Sequence, residues 1–358
     1  MFTSLLDETR SLADAFASEG KRLYLVGGIV RDALLGRQRP TLDIDLTTDA
    51  LPDDIERLIR QARPKSLWLQ GKRFGTVGAT IVGPDGTERA VEITTHRSDE
   101  YEGSSRKPTV AFSTSLTADL SRRDFTVNAM AIDAQRPSEE RVELLDPFAG
   151  ASDLTAGVLR TPVDPDISFS DDPLRMLRAA RFIAAFSLQP NDDLRDAVVR
   201  LGARLGIVSS ERIQDEFTKL LLLPRPGQGL RFLAKTGLLV QFIPELDALG
   251  IDDELCARTI TALELCAPDI TLRLCVLFVV GARPNSDASE PGDVATVAAR
   301  RIRTLRFPGE VIDGVRELLR LRSSLELPRT DRAVREFVHE AGPYRADLLR
   351  LVELVGVG

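Results

Sequence analysis

The stretch Leu42-Asp43-Ile44-Asp45-Leu46 alternates apolar residues and carboxylates with a period of two. Successive side chains of a β-strand point to opposite faces, so the pattern predicts a strand with Asp43 and Asp45 on one face and the three apolar residues on the other. Neighbouring carboxylates repel unless a divalent cation lies between them, and oxygen ligands that leave room for phosphates suit Mg²⁺. The stretch therefore predicts a half-buried strand that carries a metal site.

A second motif, Gly27-Gly28-Ile29-Val30-Arg31-Asp32, follows the apolar run Leu23-Tyr24-Leu25-Val26. A Gly-Gly turn between a strand and a helix exposes backbone N–H groups that can hold phosphates, and Arg31 adds positive charge. Taken alone, the turn is more often explained by backbone geometry, and the aspartate pair by a solvent-facing strand. Their order and spacing together favour a joint nucleotide and metal site.

The composition indicates a globular protein. The chain has 358 residues, of which 43% are hydrophobic and 28% charged, so we expect two or three domains. No basic leader or membrane span is evident, which predicts a cytoplasmic protein without a membrane partner. The three cysteines lack CxxC spacing and are expected to be buried free thiols. A net charge of −7 argues against a broad basic surface, although clustered arginines leave room for local positive strips.

The order of strand and helix signals predicts the fold class and the domains. Residues 1–150 mix both signals and are predicted to form an α+β head with a small mixed β-sheet and flanking helices. Long amphipathic runs follow, which predict an all-α neck at 151–228 and a helical body and tail at 229–358. The strands are predicted at Leu23–Val26, Leu42–Leu46, Val77–Val82, Ala90–Thr95 and Val127–Ile132, and the head helices before Gly20 and at Leu51–Arg63.

Four motifs carry a family resemblance. They are residues 24–50, residues 122–131 (Arg-Arg-Asp-Phe-Thr-Val-Asn-Ala-Met-Ala), residues 171–182 (Asp-Asp-Pro-Leu-Arg-Met-Leu-Arg-Ala-Ala-Arg-Phe) and residues 210–213 (Ser-Glu-Arg-Ile). In this order they resemble the class II tRNA nucleotidyltransferase and bacterial poly(A) polymerase family. The resemblance implies template-independent addition of nucleotides to RNA 3′ ends, and for the CCA-adding members addition of C, C and A to the tRNA acceptor arm from CTP and ATP.

The resemblance also implies roles for single residues. Asp43 and Asp45 would hold two Mg²⁺ ions, with Mn²⁺ as the alternative ion, and promote an in-line displacement. Glu92 is a candidate third metal ligand, since the alternation in its strand predicts that it faces the same side; a surface glutamate is the alternative reading. The residues implied in binding phosphates and ribose are Gly27, Gly28, Arg31, Arg122, Arg123, Asp124 and Asn128. The alternative for Arg122, Arg123 and Asp124 is an ion pair at a strand start.

Asp172 and Arg175 are implied in base selection. A spacing of three residues places both on one helix face, where a carboxylate accepts from the exocyclic amine of C or A and a guanidinium donates to the adjacent ring acceptor. The alternative is that Asp172 caps the helix, with Pro173 as its first residue. Arg178, Arg181, Glu211 and Arg212 are implied in supporting this helix, and the alternative for the last two is a capped, salt-bridged helix start.

Two segments refine the functional expectation. Residues 97–108, with Arg97, Tyr101 and Arg106, resemble the family's flexible loop, which favours CCA or A addition over C-only addition. Residues 272–284 resemble the core helix of an HD phosphohydrolase domain with Val279-Val280 in place of His-Asp, so no HD-type metal is expected. The alternatives are an A-adding specialist, a poly(A) polymerase, and a catalytically silent RNA-binding relative. Protein partners and oligomeric state are left open by the sequence.

Overall fold

The computed structural model describes residues 2–37, 43–100, 109–135, 142–282, 293–323 and 330–355. The chain forms two compact units, Met1–Asp164 and Pro165–Gly358. The finer division into neck, body and tail at residue 228 stays a prediction.

The first unit is an α+β domain, as predicted. Its helices are α1 (Phe2–Glu8), α2 (Arg10–Ser18), α3 (Gly28–Leu34), α4 (Pro52–Gln61), α5 (Leu116–Ser121) and α6 (Gly150–Ala156). Its strands are β1 (Leu23–Val26), β2 (Asp43–Thr48), β3 (Ser66–Trp68), β4 (Thr76–Val82), β5 (Glu88–Thr95), β6 (Arg97–Glu100), β7 (Thr109–Phe112), β8 (Ala131–Asp133), β9 (Leu144–Leu145) and β10 (Val158–Leu159). Short 3₁₀ turns lie at Lys72–Phe74 and Thr126–Asn128.

Seven of these strands form one mixed sheet in the order β3-β4-β5-β2-β1-β8-β9. β2 and β5 run parallel, while the other neighbouring pairs run antiparallel. The apolar face of β2 and its neighbours packs into a core with α2 and α4, where Ile44, Leu46, Phe16 and Leu58 are fully or almost fully buried. The sheet therefore has a covered apolar face and an opposite polar face.

Two predictions for this unit are corrected. The strand predicted at Val127–Ile132 is confined to Ala131–Asp133, because residues 126–128 turn as a 3₁₀ helix. Residues 97–100 do not belong to a loop: they form β6, which pairs antiparallel with β7 from Arg97 opposite Phe112 to Glu100 opposite Thr109. Tyr101, Arg106 and the rest of the predicted loop lie outside the described residues.

The second unit is almost entirely helical, as predicted. Its helices are α7 (Pro165–Asp171), α8 (Leu174–Phe186), α9 (Asp192–Leu201), α10 (Ser210–Leu221), α11 (Gly227–Lys235), α12 (Ala248–Ile251), α13 (Asp253–Leu265), α14 (Ile270–Val276), α15 (Val294–Thr304), α16 (Gly309–Ser323), α17 (Asp331–Ala341) and α18 (Arg345–Val355). One two-residue strand, β11, spans Gln189–Pro190, and 3₁₀ turns lie at Gly202–Ile207, Leu239–Gln241, Pro244–Leu246 and Gly342–Tyr344. Val279 and Val280 lie in a turn of π-helix at Leu277–Gly281.

Several further predictions concern these units. Cys256, Cys266 and Cys275 are buried free thiols, as expected. The Gly/Pro/Ser-rich composition of residues 281–292 also predicts a loop, which from residue 283 onward lies outside the described residues. In the part of the chain that the structure describes, no helix is both long and apolar enough to cross a membrane.

Candidate active site

The polar face of the sheet carries the predicted metal ligands. Asp43 and Asp45 are exposed on β2, while Ile44 and Leu46 between and beside them are buried, so the predicted alternation is confirmed. Glu92 on β5 is directly opposite Asp45 in the parallel register and is exposed as well. Side chains of directly paired residues share one face of a sheet. The three carboxylates therefore stand on one solvent-facing surface.

A glycine turn lies beside this carboxylate face. Gly27 follows β1 with φ of +76°, a conformation that other residues rarely adopt, and α3 begins at the next residue. A Cβ atom at this position would lie 3.0 Å from Nη1 of Arg123 and 3.6 Å from Oδ2 of Asp45. Because glycine leaves that space empty, backbone, guanidinium and carboxylate converge around an opening where phosphate oxygens can enter.

Arg123 is held in this position by Asp119, which the sequence analysis did not single out. Nη2 of Arg123 lies 3.4 Å from Oδ2 of Asp119, and the same oxygen accepts from Thr47 at 3.2 Å. Oδ1 of Asp119 accepts from the backbone N–H of Arg97 at 3.3 Å. The only feature of the sequence that could have predicted this pair is the four-residue spacing between Asp119 and Arg123. Such a spacing indicates an ion pair only if the segment is helical.

The remaining residues predicted to bind phosphate and ribose form a network below the surface. Arg31 is 5% exposed, and its guanidinium donates to Asp32 at 2.9 Å and to the side-chain oxygen of Asn128. Asn128 in turn donates to Asp124 at 2.9 Å, and Asp124 also accepts the N–H of Phe125 at 2.9 Å. Arg122 is partly buried at the end of α5. Buried charges of this kind are paired, so the network stabilises the turn that carries Arg123.

His96 is buried next to Thr47, which also donates to Asp119. Its Nδ1 lies 2.9 Å from the hydroxyl oxygen of Thr47, and its ring centre lies 6.0 Å from that of Tyr24. Burial lowers the pKa of His96, and the negative charges of Asp119 and Asp49 oppose that effect. The imidazole is therefore kept neutral near neutral pH and acts as a hydrogen-bonding partner in the fold.

The carboxylate face fits a Mg²⁺ site by its donor chemistry. All its candidate ligands are carboxylate oxygens, and Asp43 and Asp45 are exposed enough for a substrate phosphate to reach the same ion. Mg²⁺ is commonly held by one or two carboxylates together with phosphate oxygens and water. Over the described ranges, no group of three or more His, Cys, Asp or Glu side chains is placed to hold a metal ion.

In the second unit, the predicted base-selecting residues flank the start of α8. Asp172 precedes the helix, which begins at Leu174, so the prediction that it lies on the helix is wrong. Its carboxylate accepts from Leu174 N–H at 3.2 Å and from Nη2 of Arg212 at 3.1 and 3.3 Å. Nη1 of Arg175 donates to the hydroxyl and carbonyl oxygens of Ser168 at 2.8 and 3.3 Å. Asp172 therefore both caps the helix start and is held by Arg212.

The predicted supporting residues make ion pairs and contacts with an aromatic ring. Arg181 pairs with the buried Glu216, and its guanidinium lies 4.9 Å from the ring centre of Phe182. Arg178 lies 5.9 Å from the same ring. Glu211 pairs with Arg306 at 3.8 Å. The side chain of Ser209 accepts the N–H of Arg212 at 3.4 Å, so the capped helix start and the support of Asp172 occur together.

A mixed sheet with two aspartates on one face of a strand, next to a glycine turn and an arginine, defines a nucleotidyltransferase head. Residues 23–160 match the family described as "Poly A polymerase head domain". Residues 187–249 match the family described as "Probable RNA and SrmB- binding site of polymerase A". The two matches together span more than half of the chain. The chain belongs to the tRNA nucleotidyltransferase and bacterial poly(A) polymerase family.

Individual relatives agree with this assignment. The chain is 39% identical over 232 residues to a CCA-adding enzyme of Geobacillus thermodenitrificans, a match that covers 64% of this chain and 53% of that protein. It is 35% identical over 244 residues to a CCA-adding enzyme of Streptococcus gordonii, covering 68% of this chain and 56% of that protein. The chain thus spans about half the length of the curated relatives it matches.

Solved structures show the same fold over nearly the whole chain. The structure of the Bacillus stearothermophilus CCA-adding enzyme in complex with CTP superposes with a TM-score of 0.70 at 28% identity, over 97% of this chain and 82% of that one. A tRNA nucleotidyltransferase complexed with a primer tRNA and an incoming ATP analog gives a TM-score of 0.70 at 23% identity, over 96% of this chain and 95% of that one.

Proposed function

We propose that this protein is a CCA-adding tRNA nucleotidyltransferase, which extends the 3′ end of tRNA with C, C and A from CTP and ATP. The observation that carries the proposal is the placement of Asp43, Asp45 and Glu92 on one exposed face beside Gly27 and Arg123. The names of the relatives and the CTP complex of a structural neighbour support it. A cytoplasmic location follows from tRNA as the substrate.

In the proposed mechanism, the head holds the nucleotide by its phosphates. Gly27 leaves room for the triphosphate beside β2, and Arg123, fixed by Asp119, donates to phosphate oxygens. Asp43 and Asp45 would provide oxygen ligands for two Mg²⁺ ions. When bound, these ions polarise the α-phosphate, favour ionisation of the RNA 3′-hydroxyl and neutralise the leaving pyrophosphate. The turn is stabilised by hydrogen bonds below the surface, which join Arg31 to Asn128 and Asn128 to Asp124.

We further propose that Asp172 and Arg175 select the base. A carboxylate accepts from the exocyclic amine of cytosine or adenine, which uracil lacks, and a guanidinium donates to the neighbouring ring acceptor. Arg212 supports this role because it fixes the direction in which the Asp172 carboxylate points. Residues 151–228 would then act as a neck for selection, and residues 229–358 as a body and tail that hold tRNA.

The proposal is tested by single-nucleotide extension of tRNA transcripts that end at the discriminator base, at C and at CC. Each transcript is offered CTP, ATP, UTP or GTP with Mg²⁺. We expect C, C and A to be added in that order. Asp45→Asn should abolish every product without lowering Tm, whereas Asp53→Asn, a change at an exposed helix carboxylate of the same unit, should leave the products unchanged. Absence of any product with the unaltered protein would refute the catalytic proposal.

One further candidate is a poly(A) polymerase, which is favoured by the family description of residues 23–160. The same experiment separates the two functions. A poly(A) polymerase would add long runs of A to general RNA ends and use CTP poorly. An A-adding specialist would extend only the transcript that ends in CC.

A further inference from the structure

One row of paired residues crosses four strands on the carboxylate face. Asp45 on β2 is opposite Glu92 on β5, Glu92 is opposite Gly78 on β4, and Gly78 is opposite Trp68 on β3. Directly paired residues point to the same face of a sheet. The side chain of Trp68 therefore stands on the same surface as the proposed metal ligands, at the outer edge of that row.

The indole of Trp68 lies across Gly78. A Cβ atom at Gly78 would lie 2.0 Å from Nε1 and 2.1 Å from Cε2 of Trp68, so the ring occupies the place of the missing side chain. With strands spaced by about 4.8 Å, a ring above β4 is next to the β5 row, where Glu92 stands. Trp68 is partly exposed and is the only tryptophan of the chain. Its ring therefore lies on the carboxylate face, one strand away from Glu92.

The two sides of β2 differ in what they offer a substrate. Gly27 and Arg123, with their phosphate-binding groups, are on the β1 side, whereas Glu92 and Trp68 are on the β5 side. In an in-line displacement the attacking oxygen and the leaving pyrophosphate are on opposite sides of the α-phosphate. If the pyrophosphate leaves toward Arg123, the RNA 3′-hydroxyl approaches from the side of Glu92. The sugar that carries this hydroxyl brings its base toward Trp68.

We propose that Trp68 is the stacking platform for the base of the RNA's 3′-terminal nucleotide. This inference rests on the proposed function, because it needs an RNA 3′ end at the carboxylates. Stacking on an aromatic ring is tolerant of base identity, since every base has a π-face. That tolerance suits a terminal base that changes from the discriminator to C and again to C during the reaction. In this arrangement Arg123 and Asp45 hold the incoming nucleotide, and Trp68 holds the 3′-terminal base of the RNA.

The emission of Trp68 gives a direct test, since no other tryptophan contributes to it. The full chain is titrated with an RNA minihelix that ends in CC, without nucleotide. We expect saturable quenching of emission. A matched minihelix with an abasic 3′-terminal residue should bind, as seen by polarisation of a 5′ label, with much weaker quenching. CTP with Mg²⁺ alone should leave the emission nearly unchanged. Equal emission changes with both RNAs, or none while RNA binds, would overturn the inference.

Kinetics provide the second test. Trp68→Leu keeps an apolar cover over Gly78 but cannot stack, and we expect the KM for RNA to rise about 10-fold while the KM for CTP is unchanged. The KM of Trp68→Phe for RNA should lie between those of the unaltered protein and of Trp68→Leu. Phe74→Leu, at an exposed aromatic residue of the same unit, is the control and should leave both constants unchanged. An unaltered RNA KM in Trp68→Leu, with Tm preserved, would contradict the inference.

These results are distinguishable from a failure of the proposed function. Quenching by the CC minihelix but not by its abasic counterpart, in a protein that adds no nucleotide, would support the platform and refute the catalysis. Ordered addition of C, C and A without any quenching would support the catalysis and refute the platform.

Discussion

Arg212 fixes Asp172: its Nη2 lies 3.1 and 3.3 Å from the two carboxylate oxygens, across forty residues of sequence. Asp172 also accepts the N–H of Leu174 at the start of α8, so its carboxylate is held from two directions. Asp172 is about one-third exposed, which leaves it accessible to a base. In the proposed selection of a base by hydrogen bonds the Asp172 carboxylate must point in one direction, and Arg212 supplies that constraint.

Arg212→Ala should therefore reduce base selection more than catalysis. We expect the ratio of kcat/KM for CTP to that for UTP to fall about 10-fold, because small displacements of a positioned group have large effects. Single-turnover extension of a transcript that ends at the discriminator base measures this ratio. Arg200→Ala removes another partly exposed arginine of the same unit, which pairs with Asp166, and should leave the ratio unchanged. A uniform loss with every nucleotide would assign Arg212 to stability alone.

Asp119→Asn should weaken nucleotide binding through Arg123. The change removes the charge that holds the guanidinium beside Gly27, and a hydrogen bond to a charged group contributes about 1.5–3 kcal/mol, so the KM for both CTP and ATP should rise about 10-fold or more. The KM for RNA should change little. Asp133→Asn, at an acidic residue on β8 that pairs with Arg22, is the control. If kcat fell while both nucleotide KM values held, Asp119 would not act by positioning Arg123.

Local patterns in the sequence predicted the parts of the site that lie on one element. The period of two in residues 42–46 was sufficient to place Asp43 and Asp45 on one face, because burial of Ile44 and Leu46 fixes which face is solvent-exposed. The glycine turn at Gly27 was likewise predictable, since its positive φ requires glycine. These features depend on neighbours in sequence.

Features that depend on register or on distant partners were not predictable. The row from Asp45 to Trp68 depends on three strand pairings, and nothing local to Trp68 indicates which residue it faces. Arg31 was predicted to bind phosphate, and nothing local indicates that Asp32 and the distant Asn128 hold its guanidinium in the interior. The strand predicted from Val127 was too long, since side-chain bonds of Asp124 to Phe125 and Asn128 favour a turn there.

Gly229→Ala should destabilise the helical unit. A Cβ atom at Gly229 would lie 2.4 Å from the carbonyl oxygen of Ala180 on α8 and 2.7 Å from Cδ1 of Leu220, so α8 and α11 must separate. Overpacking of this kind costs about 1–3 kcal/mol, and we expect a lower midpoint in urea unfolding followed by circular dichroism. Gly206→Ala is the matched control, because nothing lies within 4 Å of its Cβ position. Equal midpoints for the two variants would mean that the contact relaxes freely.

The buried His96 makes the stability of the head depend on pH. Burial lowers the pKa of His96 below its ordinary 6.5, so the unfolded chain takes up a proton at a higher pH than the folded one. Above its ordinary pKa the imidazole is neutral in both the folded and the unfolded state, so its titration does not change the free energy of unfolding there. As the pH falls toward the folded-state pKa, the unfolded state binds more protons and the free energy of unfolding decreases.

His96→Gln should therefore flatten this dependence. Glutamine can hydrogen-bond to Thr47 but does not titrate, so the loss of unfolding free energy between about pH 7.5 and pH 5 should be smaller than in the unaltered protein. Urea unfolding followed by Trp68 emission reports on the head alone, since the single tryptophan lies there. His339→Gln, at the exposed histidine of α17, should retain the original dependence. The readout is the slope of the free energy of unfolding against pH, which a general loss of packing at His96 would not alter. Equal slopes for both variants would show that His96 takes up its proton at the same pH whether the head is folded or unfolded.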